Sequence, residues 1–129
     1  MAILGIHHLG LSVRDLDKTT AFFTECLGWK VVREVPDYPA KFVSNGSAFF
    51  TLWQTDPGAT SFDRRKNLGL HHVALQVSDE TDLDALYTKL QAYPGVEIEF
   101  SPQPVAGGPA KHCIFREPSG IRMEFFWAP

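Results

Sequence analysis

Three residues in this sequence have the types needed to hold a divalent metal while leaving positions open for a substrate: His8, His72 and Glu124. Two neutral imidazoles and one carboxylate form a facial ligand set that suits Fe(II), Mn(II) or a similar ion. A lone strand histidine says little, because most are ordinary core or surface residues. These two are not alone. The segment Ile6-His7-His8-Leu9-Gly10-Leu11-Ser12-Val13-Arg14-Asp15 is echoed about half the chain later by Leu70-His71-His72-Val73-Ala74-Leu75-Gln76-Val77-Ser78-Asp79. An internal repeat on that scale means two like modules, each offering a histidine from the same place.

The elements that must position these residues can be read from the same repeat. Leu9, Leu11 and Val13 alternate with His8, Gly10 and Ser12, and Val73, Leu75 and Val77 alternate with His72, Ala74 and Gln76. Period-two alternation predicts strands with one apolar and one small or polar face, the histidines lying on the polar face. By the same alternation His7 and His71 point to the helix-facing side and are read as packing residues. Asp15 is a predicted N-cap, followed by a helix through Phe22, Phe23, Cys26 and Leu27 that ends at Gly28. Leu83, Leu86, Tyr87 and Leu90 form the stripe of a second helix that stops at Pro94-Gly95. Strand-like runs follow each helix: 29–35, 41–44 and 47–54, then 96–100, 110–116 and 121–127. Asn45-Gly46 marks a hairpin in the first set, and Glu117-Pro118-Ser119-Gly120 a turn in the second.

The chain therefore reads βαβββ twice, an α+β fold of two modules with cupped mixed sheets. The modules are 1–54 and 69–129, joined by the polar linker 55–68 within a single domain of 1–129. Each helix should cover the apolar face of its sheet and leave the other face open. In the final strand Glu124 stands between Met123 and Phe125, on the face shared by Arg122 and Phe126. A carboxylate in mid-strand is costly unless paired or coordinated. If the two sheets face each other, or face those of a second chain, His8, His72 and Glu124 can converge.

Composition removes several other classes. The net charge is −3, and the only basic run is the short Arg64-Arg65-Lys66, which is too little for a nucleic-acid footprint. No apolar stretch approaches the roughly 20 residues that span a bilayer, and the N-terminus lacks the pattern of a secretory signal. A soluble, cytoplasmic protein is expected. Cys26 and Cys113 form no CxxC pair and are expected to be reduced, buried packing residues.

The strand histidine followed by Val13-x-Asp15, the Phe22-Phe23-x3-Leu27-Gly28 helix and Glu117-Pro118-Ser119-Gly120-x3-Glu124 together resemble the vicinal oxygen chelate superfamily. That superfamily includes glyoxalase I, extradiol dioxygenases, epimerases, fosfomycin-resistance transferases and bleomycin-binding proteins. The resemblance covers essentially the whole chain. It implies a glyoxalase-like fold and one divalent ion (Fe, Mn, Ni or Zn) held by His8, His72 and Glu124. It also implies a small-molecule substrate bound through vicinal oxygens, and a homodimer in which the cup can be shared between chains. Glyoxalase I takes a further glutamate from the last strand of its first module, where this chain has Phe50 or Thr51. Extradiol dioxygenases place a tyrosine where Ile114 stands, and fosfomycin-resistance transferases a threonine where Gly10 stands. Dioxygenase-like or lyase-like chemistry leads. The rival is a metal-free protein that sequesters an aromatic ligand in the same cup.

Around the triad, His112 is a candidate acid or base because imidazole titrates near neutrality. Arg64 and Arg65 are candidates to clamp a substrate carboxylate or phosphate. Phe50, Trp53 and Phe126 are candidates to line an aromatic pocket, with core packing the commoner fate of such residues.

Overall fold

The alternation that begins after His8 becomes strand β1 (Leu9–Val13) in the computed structural model, which describes residues 1–129. Helix α1 (Leu16–Ala21) and strands β2 (Lys30–Val35), β3 (Ala40–Ser44) and β4 (Phe49–Gln54) complete the first βαβββ module. The repeat then gives β5 (Val73–Gln76), α2 (Glu80–Ala92), β6 (Glu97–Pro104), β7 (Lys111–Arg116) and β8 (Arg122–Trp127). The chain divides into two units, Met1–Ala59 and Thr60–Pro129, and the division falls inside the polar stretch 55–68. Each unit holds one mixed four-stranded sheet, ordered β1-β4-β3-β2 in the first and β5-β8-β7-β6 in the second. The first strand of each module runs parallel to the last, and the other neighbours are antiparallel.

Both helices start where the sequence places them. The Asp15 carboxylate accepts a hydrogen bond from the Lys18 N–H at 3.0 Å, and Asp79 does the same for Asp82 at 2.8 Å. Each satisfies a backbone donor that the first helical turn leaves unpaired. The first helix departs from expectation at its end, where Phe22–Cys26 form a π-turn and the Leu27 N–H bonds to the Phe22 carbonyl at 3.2 Å. A wider turn rotates less per residue than an α-turn, so the adjacent Phe22 and Phe23 can both face inward. Both are fully buried. Gly28, at φ +75°, then reverses the chain into β2.

Each core lies between one sheet face and its helix. Leu11, Val13, Val43, Phe50 and Leu52 are buried in the first unit, while Gly10 and Ser12 on the other face of β1 are exposed. In the second, Leu83 and Leu90 of α2 are buried together with Cys113, Phe115, Met123 and Phe125 of the sheet. Cys26 and Cys113 are free and buried, and burial pushes the Cys113 thiol up to about 11. No helix is long and apolar enough to cross a membrane.

The turn before β8 is fixed by a carboxylate. Glu117 is only 1% exposed, and its Oε1 accepts from the N–H groups of Ser119 at 2.9 Å and Ile121 at 3.0 Å. Gly120, at φ +87°, takes the left-handed position of the same turn. Because it removes two charge-assisted hydrogen bonds made by a buried carboxylate, Glu117→Ala should cost about 2 kcal/mol in urea unfolding. Cys113 should resist iodoacetamide in the folded protein at mildly alkaline pH and react once the chain is unfolded, as mass spectrometry of the alkylated protein would show.

Candidate metal and substrate site

Strand register alone brings three chemically active side chains of the second unit together. Glu124 on β8 lies opposite Ala74 on β5 and Ile114 on β7. His72 precedes Ala74 by two residues and His112 precedes Ile114 by two, so all lie on the face away from α2. Because β5 is parallel to β8 and β7 antiparallel, the two imidazoles flank Glu124 from opposite directions along its strand. His72 Nε2 stands 3.4 Å from Glu124 Oε1, and His112 Nδ1 is hydrogen-bonded to Glu124 Oε2. The carboxylate is 7% exposed, and the small Ala74 beside it keeps the open face clear.

This arrangement suits a metal at one edge of the carboxylate. Two ligands at right angles on an ion with bonds near 2.1 Å lie roughly 3 Å apart, close to the His72–Glu124 separation. With Oε2 held by His112, Oε1 is the oxygen presented to an ion, and an orienting partner of that kind is usual behind a metal-bound carboxylate. No group of three or more His, Cys, Asp and Glu side chains is set to hold a metal. His8, the remaining ligand expected from the sequence, belongs to the first unit. It is exposed, its Nδ1 lies 2.9 Å from His7 Nδ1, and its ring lies 5.8 Å from that of Phe49.

His7 and His71 are not packing residues, contrary to the alternation. Both are exposed, since they lie ahead of β1 and β5, which begin at Leu9 and Val73, and outside the part of each sheet that is buried. His71 instead joins a polar row. Its Nδ1 lies 2.8 Å from His72 Nδ1 and 3.3 Å from Arg122 Nη1. Arg122 in turn donates to both carboxylate oxygens of Glu99, from Nε at 3.0 Å and from Nη2 at 2.6 Å. The Arg122 hydrogen bond holds the Glu99 carboxyl below the usual carboxylate range. Desolvation, and then the charge of Arg122, lower the His71 imidazole from its ordinary value.

The aromatic candidates separate. Phe50 is a core residue, 5% exposed, with its ring 5.5 Å from Phe23 and 5.3 Å from Trp29. It shares the helix-facing side of β4 with Leu52, so it cannot line a pocket on the open face. Thr51 is the residue equivalent to Glu124, since Gly10 pairs with Thr51 as Ala74 pairs with Glu124. Its hydroxyl accepts from Trp53 Nε1 at 2.9 Å. A Cβ on Gly10 would meet that hydroxyl at 3.2 Å, so a glycine there lets the indole lie close over β1. Trp53 contacts Tyr38 and Phe42, with ring centroids 4.7 and 5.7 Å away. Phe126 lies on the Glu124 face with its ring 6.2 Å from His112, and Phe100 approaches His112 to 4.9 Å.

Arg64 and Arg65 sit in a turn held by Asp63 and Asn67. The Arg65 side chain is exposed, whereas Arg64 is half-buried and its charge acts on His71 and Glu99. Sequence reasoning missed Glu99 and Phe100. The register of β6 against β7 shifts between Ile98 and Phe100, so alternation along β6 does not say which face these residues take. Arg122 was placed on the correct face without a role, and no spacing signal links it to Glu99.

A paired βαβββ architecture with a histidine at the head of each module and a carboxylate on the last strand defines a class of α+β proteins with one open sheet face per module. The model of the Glyoxalase/Bleomycin resistance protein/Dioxygenase superfamily matches residues 5–125, and the chain belongs to that superfamily. A putative lactoylglutathione lyase of Brassica oleracea var. gemmifera is 31% identical over 125 residues, covering 91% of this chain and 42% of that protein. The chain thus spans about two fifths of that relative's length. A 2-epi-5-epi-valiolone epimerase of an Actinomyces species is 26% identical over 150 residues, covering 98% of this chain and 80% of that one. Among solved structures, a glyoxylase/bleomycin resistance protein/dioxygenase domain from Frankia sp. EAN1pec superposes with a TM-score of 0.82 at 29% identity, over 98% of this chain and 93% of the other.

The Glu99–Arg122 pair has a pH signature with a definite sign. A depressed folded-state carboxyl adds stability above the unfolded value of 4.5, and that stability is lost as pH falls through the folded value. Glu99→Gln should therefore be less stable than the parent near neutrality. The gap between their urea midpoints should close as the pH is taken below 4.5.

Proposed function

We propose that this chain is a divalent-metal-dependent enzyme that acts on a small molecule carrying two adjacent oxygens, by a lyase- or isomerase-type proton transfer beside a carbonyl. The observation that carries the reading is the Glu124 carboxylate, buried on the sheet face between His72 and His112. A buried carboxylate needs partners, and hydrogen bonding by His112 accounts for only one of its oxygens. The other lies 3.4 Å from His72 Nε2, a separation that a shared divalent ion could bridge.

A bound divalent ion would supply Lewis-acid stabilisation of negative charge developing on a substrate oxygen. In this reading His72 and Glu124 are metal ligands and His112 keeps the carboxylate in one orientation. Phe100 and Phe126, packed about His112, keep water from that side. His8 is proposed as a further ligand from its place in the repeat. Proton transfer rather than ring cleavage is favoured because the similar curated proteins carry the names lactoylglutathione lyase and epimerase. Arg64, half-buried and near His71 and Glu99, is the better of the two linker arginines to meet a substrate anion.

Two measurements test the reading. Metal analysis of protein purified without a histidine tag should find about one divalent ion per chain, with Glu124→Gln and His8→Ala each losing it. With metal restored, the parent should exchange deuterium from solvent at the carbon beside the carbonyl of α-hydroxycarbonyl probes. Glu124→Gln should slow that exchange by at least about 100-fold, the scale of a lost catalytic arrangement. Oxygen uptake with catechols in place of exchange would turn the assignment to dioxygenase chemistry. A parent that takes up none of Fe(II), Mn(II), Ni(II) and Zn(II) would make it a binding protein.

A further inference from the structure

The paired histidines at the head of β5 form a device with a direction. We propose that His71 is a positioning residue that holds His72 as the Nδ1–H tautomer, so that the Nε2 lone pair is the one turned toward Glu124. The inference rests on the metal-site reading above for its consequence, though not for its geometry.

The two Nδ1 atoms are 2.8 Å apart, so one must carry a hydrogen and the other a lone pair. Arg122 points to one of the two. A guanidinium can only donate, and its Nη1 lies 3.3 Å from His71 Nδ1, so a lone pair on that nitrogen, shared between Arg122 and His72 in a three-centre contact, is the arrangement that sets no hydrogen against the guanidinium. His72 Nδ1 is then the donor, and the neutral ring has its lone pair on Nε2. Arg122 is held in this role by the two-pronged contact with Glu99, at 3.0 and 2.6 Å. The row Glu99, Arg122, His71, His72 thereby sets the tautomer of His72, and the Nε2 lone pair and Glu124 Oε1, 3.4 Å apart, become two acceptors whose repulsion a cation between them would relieve. Without such a row, an imidazole in water favours the opposite tautomer, whose Nε2–H would block coordination.

The first unit supplies an internal control. His7 and His8 repeat the Nδ1 contact at 2.9 Å. The registers of β1 with β4 and of β5 with β8 make Phe49 the equivalent of Arg122. Phe49 touches both rings, at centroid distances of 6.0 and 5.8 Å, but has no hydrogen to give either nitrogen. The backbone of the pair is duplicated, and the group that gives it direction exists in one copy only.

The test is two-bond ¹H–¹⁵N spectroscopy of the imidazoles in the metal-free full chain above the histidine titration range, alongside Mn(II) binding followed by EPR. The parent should show His72 as Nδ1–H and His71 as Nε2–H, with His7 and His8 sharing the Nδ1 proton between them. His71→Phe should return His72 toward the Nε2–H form and weaken Mn(II) binding by about 10- to 100-fold, as loss of an orienting partner does. His71→Asn, whose carbonyl can still accept from His72, should recover most of both. An Nε2–H His72 in the parent would overturn the proposal, as would a His71→Phe protein with an unchanged tautomer. The proposed tautomer in a protein that binds no Mn(II) would support the positioning role and reject the metal reading instead.

Discussion

The second unit is organised around the cost of burying one carboxylate. Glu124 sits in the middle of β8 between two fully packed apolar neighbours, with 7% of its surface exposed. A carboxylate taken out of water there is tolerated only if partners replace the lost hydration. The sheet supplies one in His112 and brings His72 beside the other oxygen. A parallel neighbour and an antiparallel neighbour deliver their histidines from opposite directions, and an alanine opposite the carboxylate keeps its open side free. Moving any of these strands by one residue would turn the imidazole to the core face and leave the charge unpartnered.

The repeat shows how one backbone can carry two different kinds of surface. Thr51 stands where the second module has Glu124, Phe49 where it has Arg122, and Trp53 where it has Phe126. The first face is therefore aromatic and uncharged near its histidines, with Tyr38 and Phe42 each against Trp53 and Arg33 set over the Phe42 ring. The second is a row of charges and imidazoles, Glu99, Arg122, His71, His72, Glu124 and His112. The two helix-facing sides remain alike, because both must satisfy the same packing against one helix. Divergence is confined to the face that packing does not constrain.

Electrostatic order on that second face is cooperative. Arg116 and Arg122 occupy paired positions on neighbouring strands, where like charges repel. Glu99 lies between them, bound to Arg122 and 3.8 Å from Arg116. The bulge in β6 makes this possible, since it interrupts the alternation that would otherwise carry Glu99 on a regular pleat. A break in sheet regularity thus places the acid that steadies the arginine beside the histidine pair.

Much of this was legible in the sequence. The repeat gave βαβββ twice, and alternation put His72, Arg122, Glu124 and Phe126 on one face, because strand pleating is local and obeys a fixed period. Local rules failed where their local premise failed. His7 and His71 lie ahead of their strands and stay exposed although the alternation assigns them to the packed side, and Phe22 with Phe23 needed a wider helical turn to be buried together. Phe50 was a pocket candidate with core packing the commoner fate, and the packing of Trp29 and Phe23 against it decided for the core. By itself the sequence determined the module order and the facing of residues within regular strands. Which oxygen of Glu124 His112 holds, which nitrogen of His72 faces that carboxylate, and that Glu99 stands behind Arg122 were decided by tertiary structure. Those contacts join residues far apart in the chain, across registers and a bulge that no local period encodes.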